Sequence, residues 1–517
     1  MKYCLIFLTT TLLLIGCKTT KKTENLVATT PVYRFEIDLV NLKDDKVSVK
    51  FSVPKNALSE GKYILPKLVP GYYNAMDFGQ FITNFKAIGK NNQPISVEKL
   101  DKNSWLIHDL KNVSEISYQV DDAWETTSTR TQTAKSPASM FAKDNVFVIN
   151  YNSLVGYFEE LKNGIYRLDI NKPKAFYGSS ALNHFQLDDT SDVVNAASYR
   201  ELVDAPVLYC APDTAWINVG ETRVLVSVFA KQEPHFAKTI SGKLETLLRN
   251  QQAYLGGKLP VSNYAFLIYH DVAPEGNFSG DGLEHNNSTL CLFASPNLKE
   301  LPEYIFDVAA HEFFHIITPL SIHSFEIQNY DYLNPVMSKH LWLYEGMTEY
   351  ATMHMPIKQK VIDLKAFSFK IEDKIKQMSA FDNTLSFTEM SQKAMQRQDQ
   401  YLNFYQKGAL IGLCLDITLR ELSSGKMGTQ ELTQALVLKY GKNNAFKDDE
   451  LFDVITAMTY PEIRLFFKDY VENGKPLPLK SLLQRVGFDL SATKKTVQVM
   501  EKLDDKQIAL RISWIGQ

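Results

Sequence analysis

"DVAAHEFFHIITPLSIHS", residues 307–324, decides how this chain is read. On an α-helix, positions i and i+4 stack one turn apart on the same face, so His311 and His315 can bring two imidazole nitrogens to one ion. Glu312 projects beside them but is offset, which leaves its carboxylate free to hold a water against that ion. The chain has only 10 histidines in 517 residues. Two of them at this spacing, with a glutamate after the first, arise by chance in roughly one such chain in a hundred. The flanking "IFDVAA" and the enclosed "FF" are apolar, as a helix beside a dry metal site requires.

A catalytic site of this type needs a third protein ligand and one open coordination position. Glu345, in "HLWLYEGMTEY", is the candidate. A carboxylate on an apolar, aromatic face is expensive to bury unless it is paired or bound to a cation. Two histidines, one glutamate and an open position form the donor set of zinc hydrolases, so one Zn2+ ion is expected. Glu349, four residues further on, reads either as a partner that orients a ligand from behind or as a solvated carboxylate. His323 and His340 lack the spacing and read as structural or surface histidines; either one as a fourth ligand would instead close the site.

Around this centre the chain divides by pattern. "MKYCLIFLTTTLLLIGC" has a positive Lys2 and an apolar run too short to span a bilayer comfortably, so residues 1–17 read as a targeting signal. Its end, "LLIGC", resembles a bacterial lipobox, which makes Cys17 the expected lipidated residue. Residues 18–30, polar and Thr/Lys-rich, read as a tether. The expected location is therefore the bacterial cell envelope, lipid-anchored to a membrane and facing the periplasm. Residues 31–213 carry short strand-like runs such as "YRFEIDLV", "KVSVKFSV", "SEISYQV" and "VFVINY", the pattern of a β-sandwich-like domain. Residues 214–475 begin with strands and turn helical from Pro302 onward. Residues 476–517 read as a short tail, with two short strands in "KKTVQVMEKLDDKQIALRISWIGQ". The net charge of −3 leaves no basic patch for nucleic acid. Cys210, Cys291 and Cys414 form neither a disulfide framework nor a cysteine-type metal site. Oligomeric state has no signal in the sequence.

Several segments, in this order along the chain, resemble the glycyl aminopeptidase family, relatives of the thermolysin-like zinc aminopeptidases. They are "LPKLVPGYY" at 65–73, "YRELVDAP" at 199–206, "GDGLEHNNST" at 280–289, "HEFFH" at 311–315, "LWLYEGMTEY" at 341–350 and "YQKGALIGLCLDITLR" at 405–420. The resemblance implies a multidomain α+β chain in which a thermolysin-like catalytic domain, mostly helical in its C-terminal part, follows the β domain. It implies Tyr405 as the hydrogen-bond donor to the developing oxyanion, beside Glu312 as general base. It implies Glu284 as the anchor for a free α-ammonium, with Gly282, His285, Asn286 and Asn287 along the same edge. Family members commonly end in a PDZ-like domain, for which the tail is too short. Asp281 stands where the family segment has a glycine, which touches side-chain preference more than reaction type.

The expected activity is removal of N-terminal residues, Gly or Ala by resemblance, from peptides with a free N-terminus. Two other readings stay open: a zinc endopeptidase of the same fold, and a non-catalytic, metal-stabilised binding lipoprotein of the envelope.

Overall fold

The computed structural model describes residues 32–54, 60–125, 135–182, 184–300, 302–491 and 493–517. The expected signal, the lipidated Cys17 and the tether lie outside the described residues.

The first part of the chain is β-rich because its residues alternate. In Val32–Lys43, Tyr33, Phe35, Ile37 and Leu39 are buried while Arg34, Glu36 and Val40 are exposed, the period-2 pattern of a half-buried strand. Asp44 and Asp45 both take left-handed conformations (φ 53° and 57°), which aspartate tolerates, and turn the chain into Lys46–Ser52. These strands belong to an eight-stranded sheet, flanked by two four-stranded sheets. Aromatic rings fill the space between them; Phe35 stacks on Phe51 at 4.5 Å and Phe85 on Trp105 at 4.8 Å. After the short strand Gly61–Ile64, the segment "LPKLVPGYY" at 65–73 leaves the sheet toward the second part of the chain.

The second part is built on a five-stranded mixed sheet. Thr222–Ala230, Asn263–Val272 and Ser288–Ser295 run parallel, and the helix Phe236–Tyr254 makes the crossover between the first two. Ser279–His285 is the edge strand, antiparallel to Ser288–Ser295, with one side left free. From residue 302 the chain is largely helical, giving a mixed α+β protein. The two parts interlock: Tyr330 and Tyr332, which follow the metal-binding stretch, are buried in the aromatic core of the β-rich part. No described helix is long and apolar enough to cross a membrane.

The tail departs from the reading given above. Val497–Val499 is a strand, but Asp505–Ile515 is a helix. Asp504 caps it by accepting from Gln507 N, and Gln507 bonds back to the Asp504 N–H. That aspartate–glutamine pair was visible in the sequence; the β-branched "RISWI" masked it. The helix delivers Trp514, fully buried, whose Nε1 donates to the Tyr350 hydroxyl at 2.8 Å. Tyr350 in turn donates to Asp416 Oδ2 at 2.6 Å, and Asp416 pairs with Arg420 at 3.0 Å. The C-terminus is thus pinned to the helix Thr348–Lys358, which continues the segment carrying Glu345. Trp514→Ala removes a buried ring and orphans one hydrogen bond, an expected loss of about 3–5 kcal/mol. Far-UV circular dichroism during denaturation would read it as an earlier midpoint, and an unchanged midpoint would show that this helix is not part of the cooperative core.

Candidate metal centre and cleft

His311 lies in the last turns of the helix Pro302–Phe314, and His315 follows directly after it. Each ring is fixed by its outer nitrogen. His315 Nδ1 donates to the Thr318 carbonyl at 2.8 Å, and His311 Nδ1 bonds to Glu349 Oε2 at 2.8 Å. Both Nε2 atoms therefore turn inward with their lone pairs available. The ring centroids are 4.8 Å apart and nearly perpendicular.

Glu345 arrives from a different element. Trp342–Met347 is a π-helical segment, a wide turn that is frequent at functional sites, and it leads into Thr348–Lys358. Glu345 Oε2 stands 3.4 Å from His311 Nε2 and 3.7 Å from His315 Nε2. Tetrahedral ligands at 2.0–2.1 Å from zinc are separated by about 3.3 Å, so the three atoms are spaced for one such ion. His311 Nε2 and Glu345 Oε2 are buried without any hydrogen-bond partner. Orphaned buried polar atoms that converge in this way are the mark of a missing cation, and two imidazoles with one carboxylate suit zinc.

The electrostatics agree. Burial alone favours the neutral ring in both histidines. In His315 it wins, holding the pKa at about 4. In His311 it is outweighed by the negative charges of Glu345 and Glu349 beside the ring, and the pKa rises well above the imidazole range. Burial would also raise Glu349, but His311 and Lys374 outweigh it and hold the carboxyl at about 2. Lys374 Nζ lies 2.6 Å from Glu349 Oε1. Glu349 is therefore the orienting partner rather than a solvated carboxylate, and Glu345 and Glu349 grip the two nitrogens of one ring.

Glu312 is also buried, and its Oε2 has no partner. Burial, opposed by His311 but reinforced by Glu345 and Asp281, pushes its pKa up to about 8. The edge strand lies hard against it: a Cβ on Gly282 would stand 2.5 Å from Glu312 Oε1, so only glycine allows this approach. Tyr405 comes from the helix Asn403–Leu422. That helix crosses the Glu345 segment glycine to glycine; a Cβ on Gly346 would meet Gly408 Cα at 2.8 Å. The contact places Tyr405, one turn before Gly408, with its ring 5.3 Å from that of His311 and its hydroxyl facing Glu345. Tyr401 lies 3.2 Å away, hydroxyl to hydroxyl.

Glu284 offers a carboxylate oxygen within 4.8 Å of donor atoms of Glu312 and His315. Burial, with Glu345 and Glu312 adding repulsion, raises its pKa well above the carboxylate range. His285, the next residue along the strand, meets Asp204 Oδ1 through its Nδ1 at 3.3 Å, and it lines the same cavity as Glu284. Asn286 and Asn287 form the turn to the next strand. His340 uses both nitrogens, on the Asp448 carbonyl at 2.8 Å and the Trp342 indole at 3.0 Å. Neither it nor His323 joins a metal-binding group among the described residues.

Sequence reasoning missed Lys374, the Thr318 carbonyl and the Gly346–Gly408 crossing. "YEG" and "QKGAL" carried the glycine signal, but nothing in the text pairs them. Glu349→Ala frees the His311 ring and leaves Lys374 unpaired. Metal affinity is expected to fall about 10–100-fold, measured by competition with a chromogenic chelator, while the fold persists by circular dichroism. Equal affinity would remove Glu349 from this role.

Known proteins resemble the chain over most of its length. The Peptidase M61 N-terminal domain matches residues 34–211, and M61 glycyl aminopeptidase matches residues 304–411, together more than half of the chain. No curated protein matches. Among solved structures, an aminopeptidase N family protein from Idiomarina loihiensis superposes with a TM-score of 0.76 at 23% identity, over 89% of this chain and 79% of that one. An M1 zinc metallopeptidase mutant from Deinococcus radiodurans, bound to the substrate Tyr-Ser-Ala, gives 0.55 at 12%, over 87% and 95%. Leukotriene A4 hydrolase from Saccharomyces cerevisiae gives 0.52 at 14%, over 88% and 70%. With both family segments in order, the chain belongs to the M61 glycyl aminopeptidase family and is a metallopeptidase.

Proposed function

We propose that this protein is a zinc aminopeptidase that removes small N-terminal residues from peptides at the bacterial envelope. The observation that carries the reading is the position of Glu284, whose carboxylate lies within 4.8 Å of donor atoms of the general base Glu312 and the ligand His315. An amino-terminal nitrogen and the carbonyl carbon of its own residue are two bonds, about 2.5 Å, apart. An ammonium held by Glu284 therefore leaves only the first peptide bond within reach of the metal. The ammonium also relieves the mutual repulsion of Glu284, Glu312 and Glu345, so a charged N-terminus is favoured over a blocked one. An endopeptidase needs no such anchor.

Zinc, held by His311, His315 and Glu345, would supply Lewis acidity toward the scissile carbonyl and acidify water. One ion fits the donors: His315 has a single nitrogen left once Nδ1 is committed to Thr318. Glu312 accepts the proton of the attacking water on its carboxylate and passes it to the leaving amine, a task suited to a base with a raised pKa. Tyr405 donates its hydroxyl proton in a hydrogen bond to the developing oxyanion, and burial keeps that phenol neutral and available as a donor. The peptide backbone would pair with the free side of Ser279–His285, in register with Glu284. The tripeptide bound to the Deinococcus radiodurans enzyme is in keeping with a peptide substrate. The reading as a binding lipoprotein with a closed metal site takes its fourth ligand from His323 or His340, and neither joins a metal-binding group among the described residues. Localisation rests on the sequence of residues 1–17 and the lipid anchor at Cys17.

The enzyme lacking its signal is expected to cleave glycyl- and alanyl-anilides but not their N-acetyl forms. Equal rates on blocked substrates would favour the endopeptidase. Glu312→Gln is expected to retain the metal and lose about 10²–10⁴-fold in kcat; undiminished turnover would place the chemistry elsewhere. Cys17→Ser is expected to move the protein from the membrane to the soluble fraction, and continued sedimentation with membranes would remove the lipid anchor.

A further inference from the structure

We infer that Tyr73, carried on a strap from the β-rich part of the chain, is the residue that restricts the side chain of the substrate's N-terminal residue. The inference rests on the aminopeptidase reading, since it concerns the residue whose ammonium Glu284 would hold.

The strap is the stretch that leaves the sheet after Gly61–Ile64 and crosses to the catalytic cleft. Gly71 takes a left-handed conformation with φ +81°, and a Cβ there would stand 2.6 Å from Glu284 Oε1 and 2.8 Å from Glu284 Oε2. The main chain of the strap is thus in contact with the amine anchor, which any larger residue would displace. Two residues on, Tyr73 turns its ring toward Tyr401, centroid to centroid 5.4 Å. Tyr401 touches Tyr405 through their hydroxyls. A wall of three tyrosines therefore runs from the strap to the oxyanion donor. The acidic neighbours that act on the Tyr73 hydroxyl are Glu345 and Glu284, the metal ligand and the amine anchor.

That position matters because of what must fit there. A substrate with its ammonium on Glu284 and its carbonyl at the metal has its Cα between the two. Any side chain on that Cα meets the groups that fill the same gap, and Tyr73 is one of them. Glycine adds nothing and alanine one methyl. A branched or aromatic side chain would need the ring to leave.

The strap is not free to yield. Lys67 N and Leu68 N donate to the Tyr332 carbonyl at 2.8 and 3.2 Å. Met76 N and Asp77 N close back on the Lys67 carbonyl at 2.9 and 3.0 Å. Gln398 Nε2 donates to the Tyr73 carbonyl at 2.7 Å. The first end and the middle are tied to the catalytic part by three hydrogen bonds, and the other end closes back on the first. The selecting residue thus belongs to the β-rich part, while the chemistry belongs to the helices.

The test uses the zinc-loaded chain without its signal and four substrates: glycyl-, alanyl-, leucyl- and phenylalanyl-anilide. Tyr73→Ala is expected to raise the leucyl-to-glycyl ratio of kcat/KM at least tenfold. A general loss of kcat through Tyr401 and Tyr405 cancels in that ratio. Tyr73→Phe keeps the ring and is expected to keep the wild-type ratio. The same comparison without turnover is the calorimetric affinity of leucinamide against glycinamide in a Glu312→Gln background, where Tyr73→Ala is expected to shift the preference toward leucinamide. An unchanged ratio in both measurements, or a wild-type enzyme that prefers leucyl over glycyl and alanyl substrates, would overturn the assignment of Tyr73 and leave the aminopeptidase reading standing. Cleavage of N-blocked substrates by the wild type would instead overturn that reading first.

Discussion

Three buried polar atoms that converge on one point govern this molecule. His311 Nε2, His315 Nε2 and Glu345 Oε2 converge from two elements at separations of 3.4 and 3.7 Å. Burying such groups unpaired is unfavourable by several kcal/mol unless a cation joins them. The surrounding structure exists to hold them there: Thr318 and Glu349 fix the rings, Lys374 fixes Glu349, and the glycine crossing brings the tyrosine helix against the Glu345 segment.

The same crowding explains why the cleft is acidic. Glu284, Glu312, Glu345 and Glu349 lie around one point; burial above all, and their mutual repulsion after it, raises the pKa of the first two, while His311 and Lys374 lower that of the last. A divalent ion and a substrate ammonium each relieve part of that repulsion. In the proposed function, recognition of the N-terminus and binding of the metal are two uses of one charge distribution.

The site is also a product of two structural parts. The strap that carries Gly71 and Tyr73 reaches in from the β-rich part, while Tyr330 and Tyr332 reach out from the catalytic part into the aromatic core of the other. This reciprocal exchange locks the two together and makes the β-rich part a wall of the cleft. The C-terminal helix adds a third tie, through Trp514 and Tyr350, to the helix that follows Glu345.

What could be read from the text alone followed from local geometry. The four-residue spacing of His311 and His315 needs only the pitch of a helix, and the offset of Glu312 comes with it. The alternation in "YRFEIDLV" needs only the pleat of a strand. Glu345, Glu284 and Tyr405 came from a buried carboxylate and a family likeness, not from spacing. The hydrophobic pattern misjudged the tail, where a capping pair outweighed β-branched residues. Only the tertiary structure decided that Glu349 grips the back of His311, that two glycines from distant segments touch, and that Gly71 lies against Glu284. The physical reason is that such contacts join residues far apart in the chain, and their distances are set by packing that no local period encodes.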